Sequence, residues 1–195
     1  MNFTTKEAFV LASASPRRKE LFSILGLPFE IVTSDVEETS VVADSATTYV
    51  EEVALLKTRD VAQHNEGKVV IGADTIVSFN DKLLHKPKNE KEAYDHLRTL
   101  SGQVHEVMTA VAIVLPNGKE HTFVEKTAVH FREIDERLMD AYIASGDPFD
   151  KAGGYGIQTD GALFVQKIDG DYNNVVGLPI ASLVDKLLSL QCISI

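Results

Sequence analysis

Asp74 is a carboxylate in a place where carboxylates are rare. It lies in Gly72-Ala73-Asp74-Thr75, with the apolar, β-branched run Val69-Val70-Ile71 before it and Ile76-Val77 after it. Such runs predict a strand buried on both faces, which Gly-Ala-Asp-Thr interrupts. An ionised Asp there loses hydration and needs a cation, a metal or a set of N–H donors. It either caps a neighbouring turn or belongs to a functional site, and an isolated acid leaves both open.

The cations around it narrow that choice. In Ser13-Ala14-Ser15-Pro16-Arg17-Arg18-Lys19, Ser15 is a good N-cap and Pro16 suits the first helical position. The macrodipole favours acids in a first turn, yet three bases stand there. Cations set against the dipole make sense when an anion binds between them and the free N–H groups of the helix start. Lys57 lies on a predicted helix, where spacing leaves it either snorkelling to solvent or aimed at a phosphate. Lys86 precedes Pro87, which biases it to an extended conformation. Lys151-Ala152-Gly153-Gly154-Tyr155-Gly156-Ile157-Gln158 is a glycine-rich loop ending in an amide. One carboxylate, dispersed cations and an amide suit cleavage of a phosphoanhydride, which requires positioning, charge neutralisation and a base for water. A divalent metal held by acids would supply further positive charge.

Other chemistries fail on spacing. Gly153-Gly154-x-Gly156 is not the dinucleotide fingerprint, and no Walker lysine motif occurs. Asp169-x-Asp171-x-Asn173 starts like a calcium loop, but Asn174 and Ile180 occupy the positions of its Gly and Glu. The six histidines, His85 and His105 among them, show no metal spacing. No Gly-x-Ser-x-Gly elbow supports a serine triad.

The elements that must position these groups alternate along the chain. Strands are expected at Ala8–Ala12 and Phe29–Thr33, the first followed by a helix with Leu21, Ile24 and Leu25 on its apolar face and Gly26 at its end. A polar, acidic loop carrying Glu38 leads to a helix from about Ala46 to His64. After the central strand come an Asn80-Asp81 hairpin turn and a helix from Asn89 to about Leu100. Two long strands, Val104–Leu115 and His121–Phe131, are joined by the Pro116-Asn117-Gly118 turn. Helices are expected at Ile134–Ala144 and Leu178–Leu190, and a strand at Ala162–Ile168. This pattern predicts an α/β fold, a mixed sheet sandwiched by helices. The hairpin and the glycine-rich loop, roughly 104–160, are expected to form a second lobe of one domain spanning 1–195, leaving a cleft between two lobes.

Composition is ordinary for a soluble globular protein. The chain has 195 residues, 44% hydrophobic and 25% charged, enough for one domain with a real core. A net charge of −10 disfavours a nucleic-acid surface. No apolar run reaches the ~20 residues of a membrane span, and no secretory signal opens the chain. The single cysteine, Cys192, excludes an intramolecular disulfide and fits a reducing cytoplasm; a frayed terminus would not hold a base beside it.

The same residues are similar to the Maf family of nucleoside triphosphate pyrophosphatases, linked to septum formation. The resemblance rests on Leu11 to Leu21, Gly72-Ala73-Asp74-Thr75, Lys86-Pro87, Leu100-Ser101-Gly102, Asp150 to Gln158 and Val175-Val176-Gly177-Leu178-Pro179, in this order. It implies an α/β, ITPase-like fold with two lobes and cleavage between the α and β phosphorus atoms, giving a monophosphate and pyrophosphate. Asp74 matches the family's proton acceptor, and Ser13, Arg17, Glu38, Lys57 and Lys86 its catalytic and phosphate-binding positions. Glu38 and Asp74 are then the metal-ligand candidates, for Mg2+ or Mn2+. The specificity positions read Arg17, Thr75 and Gln158, resembling the branch that acts on dTTP and UTP. A Gln amide can donate to one edge atom of uracil or thymine and accept from N3–H. Modified pyrimidine nucleotides and ITP stay open as substrates, and a homodimer stays open as the assembly. A nucleotide-binding regulator of division, with incidental hydrolysis, is the rival of another class. His85 and Gly154 depart from the family's usual Gly and Ala at those places.

Overall fold

The computed structural model describes residues 2–37 and 41–195. By internal packing the chain divides into two units. The first comprises Met1–Asp74, Thr109–Glu125 and Gly177–Ile195; the second comprises Thr75–Met108 and Lys126–Val176. The described strands make a mixed α/β sheet, as the alternation of patterns predicts. No described helix is long and apolar enough to cross a membrane.

In the first unit, β1 (Phe9–Ala12) is fully buried and pairs in parallel with β2 (Phe29–Ile31) and with the start of β3 (Val69–Phe79). Buried parallel strands need apolar residues on both faces, which Phe-Val-Leu-Ala and Val-Val-Ile supply. Helix α1 (Pro16–Ser23) begins as expected, with Ser15 Oγ accepting from Arg18 N and Pro16 at its first position. Its buried face is Leu21 and Phe22, followed by Leu25, whereas Ile24 is 68% exposed. Phe22 displaces Ile24 from the interior because its ring packs on Phe29, 4.9 Å away, and on Phe9. Helix α2 (Ala46–Ala62) buries Val50, Val53, Ala54, Thr58 and Val61.

The chain ends in this unit too, and its tail is not frayed. Thr4 N donates to Ser194 O at 2.8 Å, and Thr5 Oγ1 donates to Cys192 O. Burial pushes the Cys192 thiol up, away from the reactive thiolate, so the cysteine is inert for this reason and not through mobility.

The central strand differs from its expected form. Gly-Ala-Asp-Thr does not break β3, which runs without interruption through Phe79. What changes is the neighbour. β1 pairs with β3 only as far as Gly72, and β4 (Lys82–Leu84) pairs with it antiparallel only from Val77 onward. Asp74 lies in the stretch between, within a strand and not at its end. The turn into β4 uses Asn80 and Asp81 at φ 49° and 61°, the left-handed pair of a hairpin turn.

The second unit adds α3 (Glu90–Leu100), halves of β5 (Val104–Val114) and β6 (Glu120–Phe131), α4 (Glu136–Ala144), β7 (Val165–Asp169) and α5 (Tyr172–Val176). The last helix, α6 (Ile180–Ser189), returns to the first unit. Across the described strands the order is β2-β1-β3-β5-β6-β7, with β4 on β3. The strand expected at Ala162–Ile168 starts later: Asp160–Phe164 is a 3-10 turn and β7 follows it. Gly161 packs so closely on Gly156 that a Cβ would sit 2.7 Å from its backbone, which holds this stretch off the sheet. Helix α5 was not expected; its start is set by Asp171, whose carboxylate accepts from Asn173 N.

His105 on β5 is 2% exposed, in the core of the second unit. Its Nε2 lies 2.8 Å from Tyr155 Oη, and its ring meets Phe131 edge-on. Burial, aided by His130, lowers its pKa to about 4 from the ordinary 6.5. Between those values the unfolded chain binds a proton that the folded chain refuses, so stability rises with pH. Unfolding by urea should therefore lose about 1.4 kcal/mol per pH unit on acidification through this window, and His105→Phe should flatten that slope.

Candidate active site

Three elements of the first unit converge around Asp74. Strand β3 carries the acid. Helix α2 lies against this strand, because Gly72 leaves no side chain in its way. A Cβ on Gly72 would sit 2.2 Å from Thr58 Oγ1, and Thr58 is fully buried with its hydroxyl bonded to Ala54 O. A glycine inside an apolar strand is the sequence signal for such a close approach. Lys57, one residue before Thr58, donates from Nζ to Asp74 Oδ1 at 2.8 Å. Spacing left Lys57 between solvent and a ligand; the structure pairs it with the acid. Both side chains are mostly buried, 19% and 12% exposed, so the pair is shielded from bulk water but reachable. Asp74 Oδ2 has no donor among the described residues.

The turn after β1 is the third element. Ser13 is buried, and its Oγ accepts from Ser15 N at 3.2 Å. Arg18 reaches out of α1: Nε donates to Gly177 O and one terminal nitrogen to Ala73 O, both at 2.7 Å. The Ala73 carbonyl lies just past the last β1 partner, so Arg18 satisfies a main-chain group that strand pairing has left. The three bases expected to face an anion stand in different surroundings. Arg18 braces the backbone beside Asp74, Lys19 is exposed, and Arg17 is half-buried. The signal that Arg18 was different is absent from the local sequence, since one of its acceptors lies 159 residues away.

The remaining candidates belong to the second unit. Thr75 follows Asp74 directly, and successive strand residues point to opposite faces. Asp74 thus shares a face with Gly72, where α2 packs. Thr75 shares the other with Val77, against which Gly153 packs so tightly that a Cβ there would be 2.8 Å from Val77. Gly153 and Gly154 take φ 71° and 74°, a left-handed pair that lets the loop double back. Gln158 is exposed at the end of this loop, and Lys86 is exposed before the buried Pro87. Glu38 lies outside the described residues.

As to a metal, the described residues contain no group of three or more potential ligands among His, Cys, Asp and Glu. One carboxylate with an oxygen to spare still fits a hard divalent ion, which is commonly held by one or two carboxylates, substrate phosphates and water.

A family model described as Maf-like protein matches residues 8–190. A dTTP/UTP pyrophosphatase of Bacillus cereus is 53% identical over 178 residues, covering 91% of this chain and 93% of that protein. One from Bacillus anthracis is 52% identical with the same coverage of each. Among solved structures, the Ham1 protein of Staphylococcus aureus is 17% identical at a TM-score of 0.49, covering 64% of this chain and 72% of that one.

Proposed function

The chain belongs to the Maf family, and from that membership we propose that it is a nucleoside triphosphate pyrophosphatase acting on dTTP and UTP. The observation that carries the reading is the Lys57–Asp74 pair, in which Lys57 of α2 meets Asp74 of β3 between the last β1 partner and the first β4 partner, shielded from bulk water. It joins an ionisable base to a cation in the way phosphoanhydride hydrolysis requires.

In this reading Asp74 accepts a proton from water as the water oxygen attacks phosphorus. The bond between the α and β phosphates breaks, and pyrophosphate departs with the electron pair. Lys57 keeps the carboxylate in place and offsets phosphate charge as it accumulates. Ser13, Arg17 and Lys86 bind the phosphates, and Arg18 keeps the strand beside Asp74 from shifting. A divalent cation, Mg2+ or Mn2+, held by Asp74 and Glu38, would neutralise phosphate charge when bound. Arg17, Thr75 and Gln158 select the base, Gln158 by donating to the O4 carbonyl and accepting from N3–H. Cytosine reverses both groups, so the amide has to turn over to pair with it, and in the proposed orientation it matches uracil and thymine. The single buried thiol fits a reducing compartment, and we place the enzyme in the cytoplasm.

A panel of triphosphates at one concentration tests the substrate reading. UTP and dTTP, with or without modification at C5, should turn over fastest, and CTP, GTP and ITP at least tenfold slower. EDTA should stop turnover, and Mg2+ or Mn2+ restore it. Equal rates across the panel would refute pyrimidine selection, and full activity in EDTA would refute the metal.

A further inference from the structure

The second unit contains a buried ion pair that the reaction does not use. Lys151 is 8% exposed, and its ammonium donates to three oxygens: Asp147 O at 2.7 Å, Asp147 Oδ1 at 2.9 Å and Asp150 Oδ1 at 2.6 Å. That uses all three of its donors. The other carboxylate oxygen of Asp147 accepts from Tyr142 Oη and from Thr159 Oγ1, each at 2.6 Å. Tyr142 Oη in turn accepts from Gly156 N at 3.1 Å. Thr159 closes the ring through its main chain, its N–H donating to Gly156 O at 3.3 Å. Burial works against the charge on Asp147, but the bonds from Thr159, Tyr142 and Lys151 outweigh it and hold its pKa below the ordinary carboxylate value.

This network has a local target. Gly156 and Thr159 bracket Ile157 and Gln158, and Asp147 ties down both ends of that bracket. Nor is there slack within it. A Cβ on Gly156 would lie 2.5 Å from both Lys151 Cε and Thr159 Oγ1. Gln158 is exposed, and its amide has no hydrogen-bond partner among the described residues. A rigid frame therefore presents one unengaged amide. Stability alone does not account for the frame, because a buried ion pair is often no more stabilising than apolar side chains of the same volume. Its distinctive property is geometry: it fixes where the backbone enters and leaves Gln158.

We propose that Asp147 is a positioning residue for base selection, holding Gln158 through Thr159 and Tyr142. The inference rests on the reading of Gln158 as the residue that contacts the base. A donor and acceptor displaced by an ångström no longer meet the uracil edge, and the loss falls on the uracil ring and not on the triphosphate.

The experiment compares kcat/KM for UTP and CTP in Asp147→Asn, Thr159→Val, Thr159→Ser and Gln158→Ala, with folding checked by circular dichroism. Asp147→Asn and Thr159→Val should each lower the UTP-over-CTP ratio about tenfold, the loss of one well-placed polar contact. The change should come through KM for UTP, with kcat within about twofold of the parent. Thr159→Ser keeps the hydroxyl and should restore the ratio. Adding Asp147→Asn to Gln158→Ala should change the ratio no further, because the group being positioned is already gone. Thr159→Val decides the matter if Asp147→Asn does not fold. A ratio that collapses in Gln158→Ala but holds in Thr159→Val overturns the positioning role and leaves the base reading standing. A ratio that Gln158→Ala itself leaves unchanged overturns the base reading, and the positioning role with it.

Discussion

Asp74→Asn should lower pyrophosphate release from UTP by about 10²–10⁴-fold while the protein still folds, the range that loss of a general base brings. Asn matches Asp in shape and still offers an oxygen to the Lys57 ammonium, so the 2.8 Å contact survives as a weaker one. The folded state loses one charge-assisted hydrogen bond, about 1.5–3 kcal/mol at most, and less because the pair is partly solvated. What disappears is the ability to take a proton from water. Circular dichroism and a melting curve establish folding, and a coupled pyrophosphate assay measures turnover. An Asp74→Asn enzyme within tenfold of the parent would show that another group activates the water.

Gly72→Ala should be nearly as damaging, although it removes no functional group. The added Cβ would lie 2.2 Å from Thr58 Oγ1 and 3.3 Å from Thr58 Cβ. Thr58 cannot swing aside easily, being fully buried with its hydroxyl bonded to Ala54 O at 2.6 Å. Overpacking of this kind costs about 1–3 kcal/mol, a fall in Tm of roughly 2–12 °C for a chain of this size. Helix α2 has to move outward, and Lys57 moves with it, away from Asp74. Activity should fall together with stability. Thr58→Ala removes the nearest clashing atom, so Gly72→Ala combined with Thr58→Ala should recover much of both. If the two substitutions instead add, each lowering Tm independently, then helix–strand contact at Gly72 is not what places Lys57.

The parts of this fold legible in the sequence are those decided by local chemistry. Ser15 and Pro16 start α1, Asn89 starts α3 with its Oδ1 on Glu92 N, and Asn80-Asp81 turn the chain between β3 and β4. Each depends on residues no more than a few positions apart. Asp74 is readable as a notable residue for a related reason, since a charge in an apolar run breaks the local rule, whereas Lys57 reads only as one more cation on a helix and Gly72 only as part of the Gly-Ala-Asp-Thr interruption. Their relations were not readable. Lys57 meets Asp74 across 17 residues, and only packing of α2 on β3 brings them together. That β3 runs on through Asp74, past the end of β1 and before β4 begins, depends on a strand order that places β5 beside it, a fact about other segments of the chain. Arg18 looked like one of three equivalent cations until its distant acceptors, Ala73 O and Gly177 O, singled it out. The Asp147 frame is hidden in the same way, since the glycine-rich loop gives no local sign that Lys151, Tyr142 and Thr159 all bond to Asp147. The short helix α5, Tyr172–Val176, has too few residues to show a helical period.

The most direct test of the central claim is the identity of the inorganic product from UTP. One pyrophosphate per UMP, with no orthophosphate before an inorganic pyrophosphatase is added, is the predicted result. Orthophosphate and UDP appearing first would mean cleavage at the terminal phosphate, and would contradict the assignment of the scissile bond.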